Sequence, residues 1–171
     1  MILAGDIGGT KVNLAIFQED RGLLKLKAEA TFASQKYSNF EDILREFLAR
    51  TKAVVDVACF GVCGPVNEGR CQVTNLPWVV EVKSLQTILR RESVWLINDL
   101  AAMAASLPFL DPEDYVVLQE GKECPNGRIA VIAAGTGLGQ AFLVPDASGH
   151  YIILDSEGGH CDYPPRNQLE S

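Results

Sequence analysis

The chain has 171 residues, 47% of them hydrophobic, and a formal net charge of −7. That is enough for one packed domain or slightly more, and the negative balance argues against nucleic acid or an anionic membrane as partner. No apolar run approaches the roughly 20 residues needed to span a bilayer.

Met1 to Ala4 reads as a short buried strand that starts at once, which leaves no room for a signal peptide. Val12, Leu14 and Ile16 alternate with Asn13, Ala15 and Phe17 as a second strand, and Gly8-Gly9 between the two signals a tight hairpin turn. Such a turn lets a large anion approach the backbone N–H groups. Asp6 stands just before it, where a carboxylate could hold a cation or its water shell. The spacing is not that of a P-loop, and an ordinary glycine hairpin is the competing reading. Leu24 to Phe32 alternates as a half-buried antiparallel strand after a turn at Glu19 to Gly22. Ser38 and Glu41 form a capping box, and Phe40, Ile43, Leu44, Phe47 and Leu48 give one apolar helix face.

Ala53 to Phe60 is a nearly continuous apolar run, the mark of a strand covered on both faces, and Gly61-Val62-Cys63-Gly64-Pro65 follows as a loop. Cys71 to Asn75 reads as a short strand, and Pro77-Trp78 breaks the pattern. Val82, Leu85, Ile88 and Leu89 fit a second helix closed by Arg90 and Arg91. Val94 to Ile97 is a further buried strand, ended by Asn98-Asp99, and Leu100 to Leu107 a helix stopped by Pro108. Three strands, then helix–strand–helix–strand–helix, predict an α/β fold: a mixed sheet flanked by helices.

Leu110 to Asp114 is the expected boundary between a domain at 1–110 and the start of a second at 111–171. A strand is expected at Tyr115 to Leu118. The strand–glycine turn–strand design then recurs: Ile129 to Ala133, a turn Ala134-Gly135-Thr136-Gly137-Leu138-Gly139, and Gln140 to Val144. Two such units suggest related halves facing each other across a phosphate cleft. After Tyr151 to Leu154 come Glu157-Gly158-Gly159-His160 and a break at Pro164-Pro165. The five cysteines, Cys59, Cys63, Cys71, Cys124 and Cys161, are odd in number and contain no C-x-x-C pair. Neither a zinc site nor a disulfide framework is expected, and a reducing cytoplasm is the simplest compartment.

Asn98-Asp99 lies at a strand end, where open α/β sheets bind ligands. A carboxylate there could take the proton of a substrate hydroxyl during phosphoryl transfer; it could equally serve only as a helix cap. Glu157 and His160 bracket a Gly-Gly turn suited to neighbouring sugar hydroxyls, although either could be a solvated group.

Together, Gly5-Asp6-Ile7-Gly8-Gly9-Thr10, Leu96-Ile97-Asn98-Asp99, Ala134 to Gly139, Glu157 to His160 and Thr74-Asn75-Leu76-Pro77-Trp78 resemble the motifs of the bacterial glucokinase family in type and order. The likeness runs from about Leu3 to about Pro165. The family belongs to the hexokinase and actin superfamily of ATP-using two-domain proteins. The resemblance implies a ribonuclease H-like sheet in an actin-like ATPase domain, and ATP-dependent phosphorylation of glucose on its 6-hydroxyl. It implies Asp99 as general base, with Asn98, Glu157, His160 and Asn75 at the sugar. It implies that Gly5, Asp6, Ile7, Gly8, Gly9 and Thr10, with Gly135, Thr136 and Gly137, cradle the ATP phosphates, and that Asp6 attends Mg²⁺. Family members continue well past Ser171, with an adenosine motif and the helices of the second domain. The chain is therefore read as cut off, its second domain incomplete and apolar on one face. That part is expected to be mobile or to bury the face against another copy, as a homodimer. A non-catalytic sugar-binding module, and a kinase for another hexose or N-acetylhexosamine, remain alternative readings.

Overall fold

The structure, a computed structural model, describes residues 1–122, 124–134, 137–162 and 167–168. The alternating N-terminal run forms an antiparallel meander of β1 (Ile2–Ile7), β2 (Lys11–Asp20) and β3 (Leu23–Ala33). Next come α1 (Phe40–Thr51), β4 (Val57–Val62), β5 (Arg70–Gln72), β6 (Val79–Glu81), α2 (Val82–Leu89), β7 (Val94–Asn98) and α3 (Asp99–Ser106). β4 pairs parallel with β1, and β7 parallel with β4. The five-stranded mixed sheet has the order β3-β2-β1-β4-β7, while β5 and β6 form a small antiparallel pair of their own. An antiparallel meander joined to parallel strands by helical crossovers is the expected ribonuclease H-like arrangement.

One face of the sheet carries the core. Leu3, Ile7, Val12, Leu14, Ile16, Phe60 and Val62 are buried together with Phe40, Ile43, Leu44 and Phe47 of α1. The rings of Phe40 and Phe60 meet edge to face, 5.3 Å between centroids. Gly5 sits between Leu3 and Ile7 on this face, and Phe60 and Leu14 fill the space its Cβ would take. Side chains alternate along strands, so Ala4, Asp6, Asn13, Ala15 and Thr31 lie on the opposite face.

Several local expectations are corrected. α1 is capped by Asn39, whose side chain accepts from the Asp42 amide at 2.9 Å, and not by a Ser38–Glu41 box. Gly61 lies inside β4 and not in the loop after it. The predicted strand at Cys71 to Asn75 is shorter and earlier, because Arg70–Gln72 is the stretch that finds a partner in β6. The register of β3 shifts opposite Ile16 and Phe17 of β2, so Ile16 faces Ala28 and Phe17 faces Leu26. The bulge breaks the alternation: Ala28, Ala30 and Phe32 pack on the core, whereas Leu24 and Leu26 are exposed. Tyr115 to Leu118 forms no strand and is exposed, since β propensity is realised only where a ladder partner exists.

The chain divides into two compact units, Met1–Ala102 and Met103–Ser171. The second is built on a three-stranded antiparallel sheet of order β10-β9-β8, from β8 (Ile129–Ala134), β9 (Leu138–Pro145) and β10 (Tyr151–Ser156). Ala141 and Leu143 are buried on one face, while Ile132, Phe142, Ile152 and Leu154 are exposed. Among the described residues no helix is long and apolar enough to cross a membrane.

Candidate functional site

In the first unit, loops converge at the C-terminal ends of the parallel strands β1, β4 and β7, where ligands of open α/β sheets bind. The β1–β2 turn is pinned from beneath by the fully buried Ser34. Its hydroxyl donates to the Gly8 carbonyl at 2.8 Å, and its amide donates to the Thr10 carbonyl at 3.0 Å. The Gly8 amide closes the hairpin on the Lys11 carbonyl at 2.9 Å. Neither Gly8 nor Gly9 has a positive φ. Space explains these glycines: a Cβ on Gly9 would lie 3.1 Å from the Thr74 carbonyl oxygen and 3.7 Å from the Asn75 Cβ. Asn75 is thus brought against the phosphate-type turn, and it turns the chain with φ of 64°.

Cys63, just past β4, ties these loops together. Its amide donates to the Ile7 carbonyl at 3.1 Å, its carbonyl accepts from the Thr74 amide at 3.0 Å, and its thiol donates to the Thr74 carbonyl at 3.9 Å. Gly64 has φ of +142°, a conformation that suits glycine, and a Cβ on it would lie 2.9 Å from the Cys71 sulfur. Burial pushes the Cys63 thiol up, and the nearby Asp99 carboxylate adds to the effect. Burial, then Cys63 and Asp99, push the Cys71 thiol up to about 11. Both thiols stay protonated at neutral pH and are poor nucleophiles.

Asn98 caps α3. Its Oδ1 accepts from the Leu100 amide at 2.9 Å and the Ala101 amide at 3.2 Å, while its Nδ2 donates to the Gly64 carbonyl at 3.2 Å. Asp99 Oδ1 also accepts from the Leu100 amide at 2.9 Å. The first turn of α3 packs over Gly61: a Cβ there would lie 3.3 Å from the Ala102 Cβ, a tight approach, and 3.6 Å from the Asp99 Cα. The strand register places Thr31, Asn13, Asp6, Gly61 and Ile97 in one transverse row across β3, β2, β1, β4 and β7. Asp6 and the start of α3 therefore share one face of the sheet, with only glycine between them. The exposed Asp6 carboxylate accepts from Asn13 Nδ2 at 3.1 Å.

Not every sequence candidate presents a side chain here. Gly5 is packed by Phe60, and Ile7 is fully buried, so neither offers a side chain at the turn. Thr10 is exposed at the turn. Gly61, Ser34, Cys63 and Asn13 were missed as site residues. A lone glycine in an otherwise apolar strand was the available signal for Gly61.

In the second unit, Glu157 is exposed and precedes a single 3₁₀ turn, Gly158–His160. The Gly158 amide donates to Ser156 Oγ at 3.0 Å. Both glycines press on β9: a Cβ on Gly158 would lie 2.6 Å from Gln140 Oε1, and one on Gly159 would collide with the Leu138 carbonyl. A Cβ on Gly137 would meet nothing within 4 Å. Gly135, Thr136 and the side chain of His160 lie outside the described residues.

The comparisons with known proteins agree with one another. A family profile described as Glucokinase matches residues 3–171. Glucokinases of Nostoc punctiforme and of a Synechocystis species are 37% and 38% identical, each over 98–99% of this chain and 50% of the relative. The crystal structure of a glucokinase from an Antarctic psychrotroph superposes with a TM-score of 0.81 at 33% identity, over 99% of this chain and 53% of that one. The chain thus spans about half the length of the relatives it matches. A mixed sheet of this order, a glycine turn beside two carboxylates, and a match that runs from Leu3 to Ser171 lead to one assignment: the chain belongs to the glucokinase family.

Proposed function

We propose that this chain supplies the general base, the first phosphate turn and part of the sugar site of an ATP-dependent glucose 6-kinase. The observation that carries the reading is the placement of Asp6 and Asp99 on one sheet face beside the Gly8–Thr10 turn, separated by Gly61. Asp99 takes the proton of the sugar's 6-hydroxyl as that oxygen attacks the γ-phosphorus. The bond from the γ-phosphorus to the bridging oxygen breaks, and ADP leaves. Little covalent work falls to the protein, so positioning dominates. In the first unit Asn98 and Asn75 are the proposed sugar contacts and Gly5 to Thr10 the proposed phosphate turn; in the second, Glu157 and His160 are the proposed sugar contacts and Gly135 to Gly137 a proposed phosphate turn.

Asp6 is the residue for Mg²⁺. Among the described residues no group of three or more His, Cys, Asp or Glu side chains could hold a metal ion. A single carboxylate with one oxygen held by Asn13 fits Mg²⁺, which keeps several waters and takes one or two carboxylates plus substrate phosphates. When bound, the ion neutralises charge on the transferring phosphoryl group. The reaction places the protein in cytoplasmic glycolysis, a reducing compartment that suits five free cysteines.

The test is ADP release in the protein that carries this chain, with ATP, Mg²⁺ and a panel of glucose, mannose and N-acetylglucosamine. Glucose is expected to give the highest kcat/KM. Hydroxyl contacts discriminate strongly when a wrong sugar leaves buried polar groups unpaired. Turnover that ignores the sugar offered, or none with any hexose, overturns the reading.

A further inference from the structure

The transverse row that places Asp6 continues outward through two polar side chains. Thr31 Oγ1 on β3 donates to Asn13 Oδ1 on β2 at 2.9 Å, and Asn13 Nδ2 donates to Asp6 Oδ2 on β1 at 3.1 Å. The register itself builds this relay, since Asn13 is the cross-strand partner of both Asp6 and Thr31. All three lie on the sheet face that carries the start of α3, away from the core side with Gly5 and Leu14.

An amide is chemically two-ended, and its orientation decides what Asp6 meets. With Oδ1 toward the carboxylate, two acceptors would face each other. The carboxylate accepts only, so it takes the donor end, Nδ2, and the Thr31 hydroxyl completes the far end of the amide by donating to Oδ1. Asn13 then holds one carboxylate oxygen, Oδ2. Asn13 is uncharged, so it fixes the carboxylate without neutralising it, which a lysine or arginine there would do. Partners of this kind orient metal-binding carboxylates, and their loss weakens metal affinity.

We propose that Asn13, supported from β3 by Thr31, is a positioning residue for the Asp6 carboxylate toward Mg²⁺ on the nucleotide. The proposal rests on the reading of Asp6 as the carboxylate that attends Mg²⁺. Both hydrogen bonds are exposed to solvent, so the effect belongs at or below the low end of the roughly 10–100-fold that such losses cost.

The probe is Mn²⁺ with ATP, followed by electron paramagnetic resonance on the protein that carries this chain, with melting temperature measured in parallel. Wild type is expected to retain Mn²⁺–ATP, and Asp6→Asn to lose that retention. Asn13→Leu, which keeps volume and removes the donor, is expected to weaken retention about 3–10-fold with little change in melting temperature. Thr31→Val is expected to weaken it about 2–3-fold, and Thr31→Ser, which restores the hydroxyl, to return it to wild type. A purely structural role for this row would move stability and would not be rescued selectively in metal retention. If wild type and Asp6→Asn retain Mn²⁺ equally, or neither does, the Asp6 reading falls and the proposal with it. If Asp6→Asn loses Mn²⁺ while Asn13→Leu matches wild type, Asp6 stands and the positioning role of Asn13 is overturned.

Discussion

At Asn98 and Asp99 two adjacent polar residues divide two tasks. Asn98 satisfies the first amides of α3 and the Gly64 carbonyl. The helix therefore has its cap whatever stands at 99, and Asn at 99 can still accept the Leu100 amide. Asp99→Asn in the protein that carries this chain is expected to keep its melting temperature and its glucose KM while kcat falls about 10²–10⁴-fold. A kcat within a few-fold of wild type would remove Asp99 from the chemistry. Asn98→Ala should lose roughly 1 kcal/mol of stability through the cap, and should also raise the glucose KM. The Cys71 thiol, 1% exposed and raised from 9.0 to about 11, predicts a pH dependence of stability. The folded state holds this proton more tightly than the unfolded chain. Its contribution is complete below pH 9 and is lost as pH rises toward 11, by at most roughly 2–3 kcal/mol. Urea midpoints at pH 8 and 10.5 should fall more steeply for wild type than for Cys71→Ala; equal slopes would contradict it.

At the scale of elements, period and punctuation were legible and register was not. The apolar face of α1 follows from Phe40, Ile43, Leu44 and Phe47, all buried as their spacing requires. Its start was misread, because Ser38 and Asn39 both suit a cap and only the backbone decides. Asn39 takes the extended conformation, φ −159° and ψ 166°, and its side chain reaches the Asp42 amide. Asn39→Ala is expected to cost about 0.5–2 kcal/mol and Ser38→Ala close to nothing. Denaturant melts with the reverse ranking would show that the box is the working cap. The bulge opposite Ile16 and Phe17 leaves no compositional mark, so Leu24 and Leu26 were placed on the wrong side. The same limit hid the row Thr31–Asn13–Asp6–Gly61. Each residue is ordinary alone, and register across four strands makes them neighbours. Asp6 and Asp99 stand out in the sequence as candidates because each lies near a strand end with its motif around it.

At the scale of the molecule, the first unit closes a core on one sheet face, while the second leaves apolar surface open. Ile132, Phe142, Ile152 and Leu154 are 69%, 40%, 52% and 48% exposed on one face of its three-stranded sheet. Open apolar surface of this kind drives association. The chain also spans about half the length of its relatives. Phosphoryl transfer draws its rate from positioning, and Glu157 and Gly137 belong to the unit with the open face. We therefore expect the 171-residue chain on its own to phosphorylate glucose at least about 100-fold more slowly than a full-length relative, an effective loss of roughly 3 kcal/mol at the transition state. It should also sediment with a concentration-dependent increase in mass, which Phe142→Ser, a change confined to the open face, should reduce. The two measurements, steady-state ADP release and sedimentation velocity, separate the causes. Turnover comparable to the relative's would mean that the residues in this half suffice to position both substrates. A monodisperse monomer at every concentration would mean that the open face does not drive self-association.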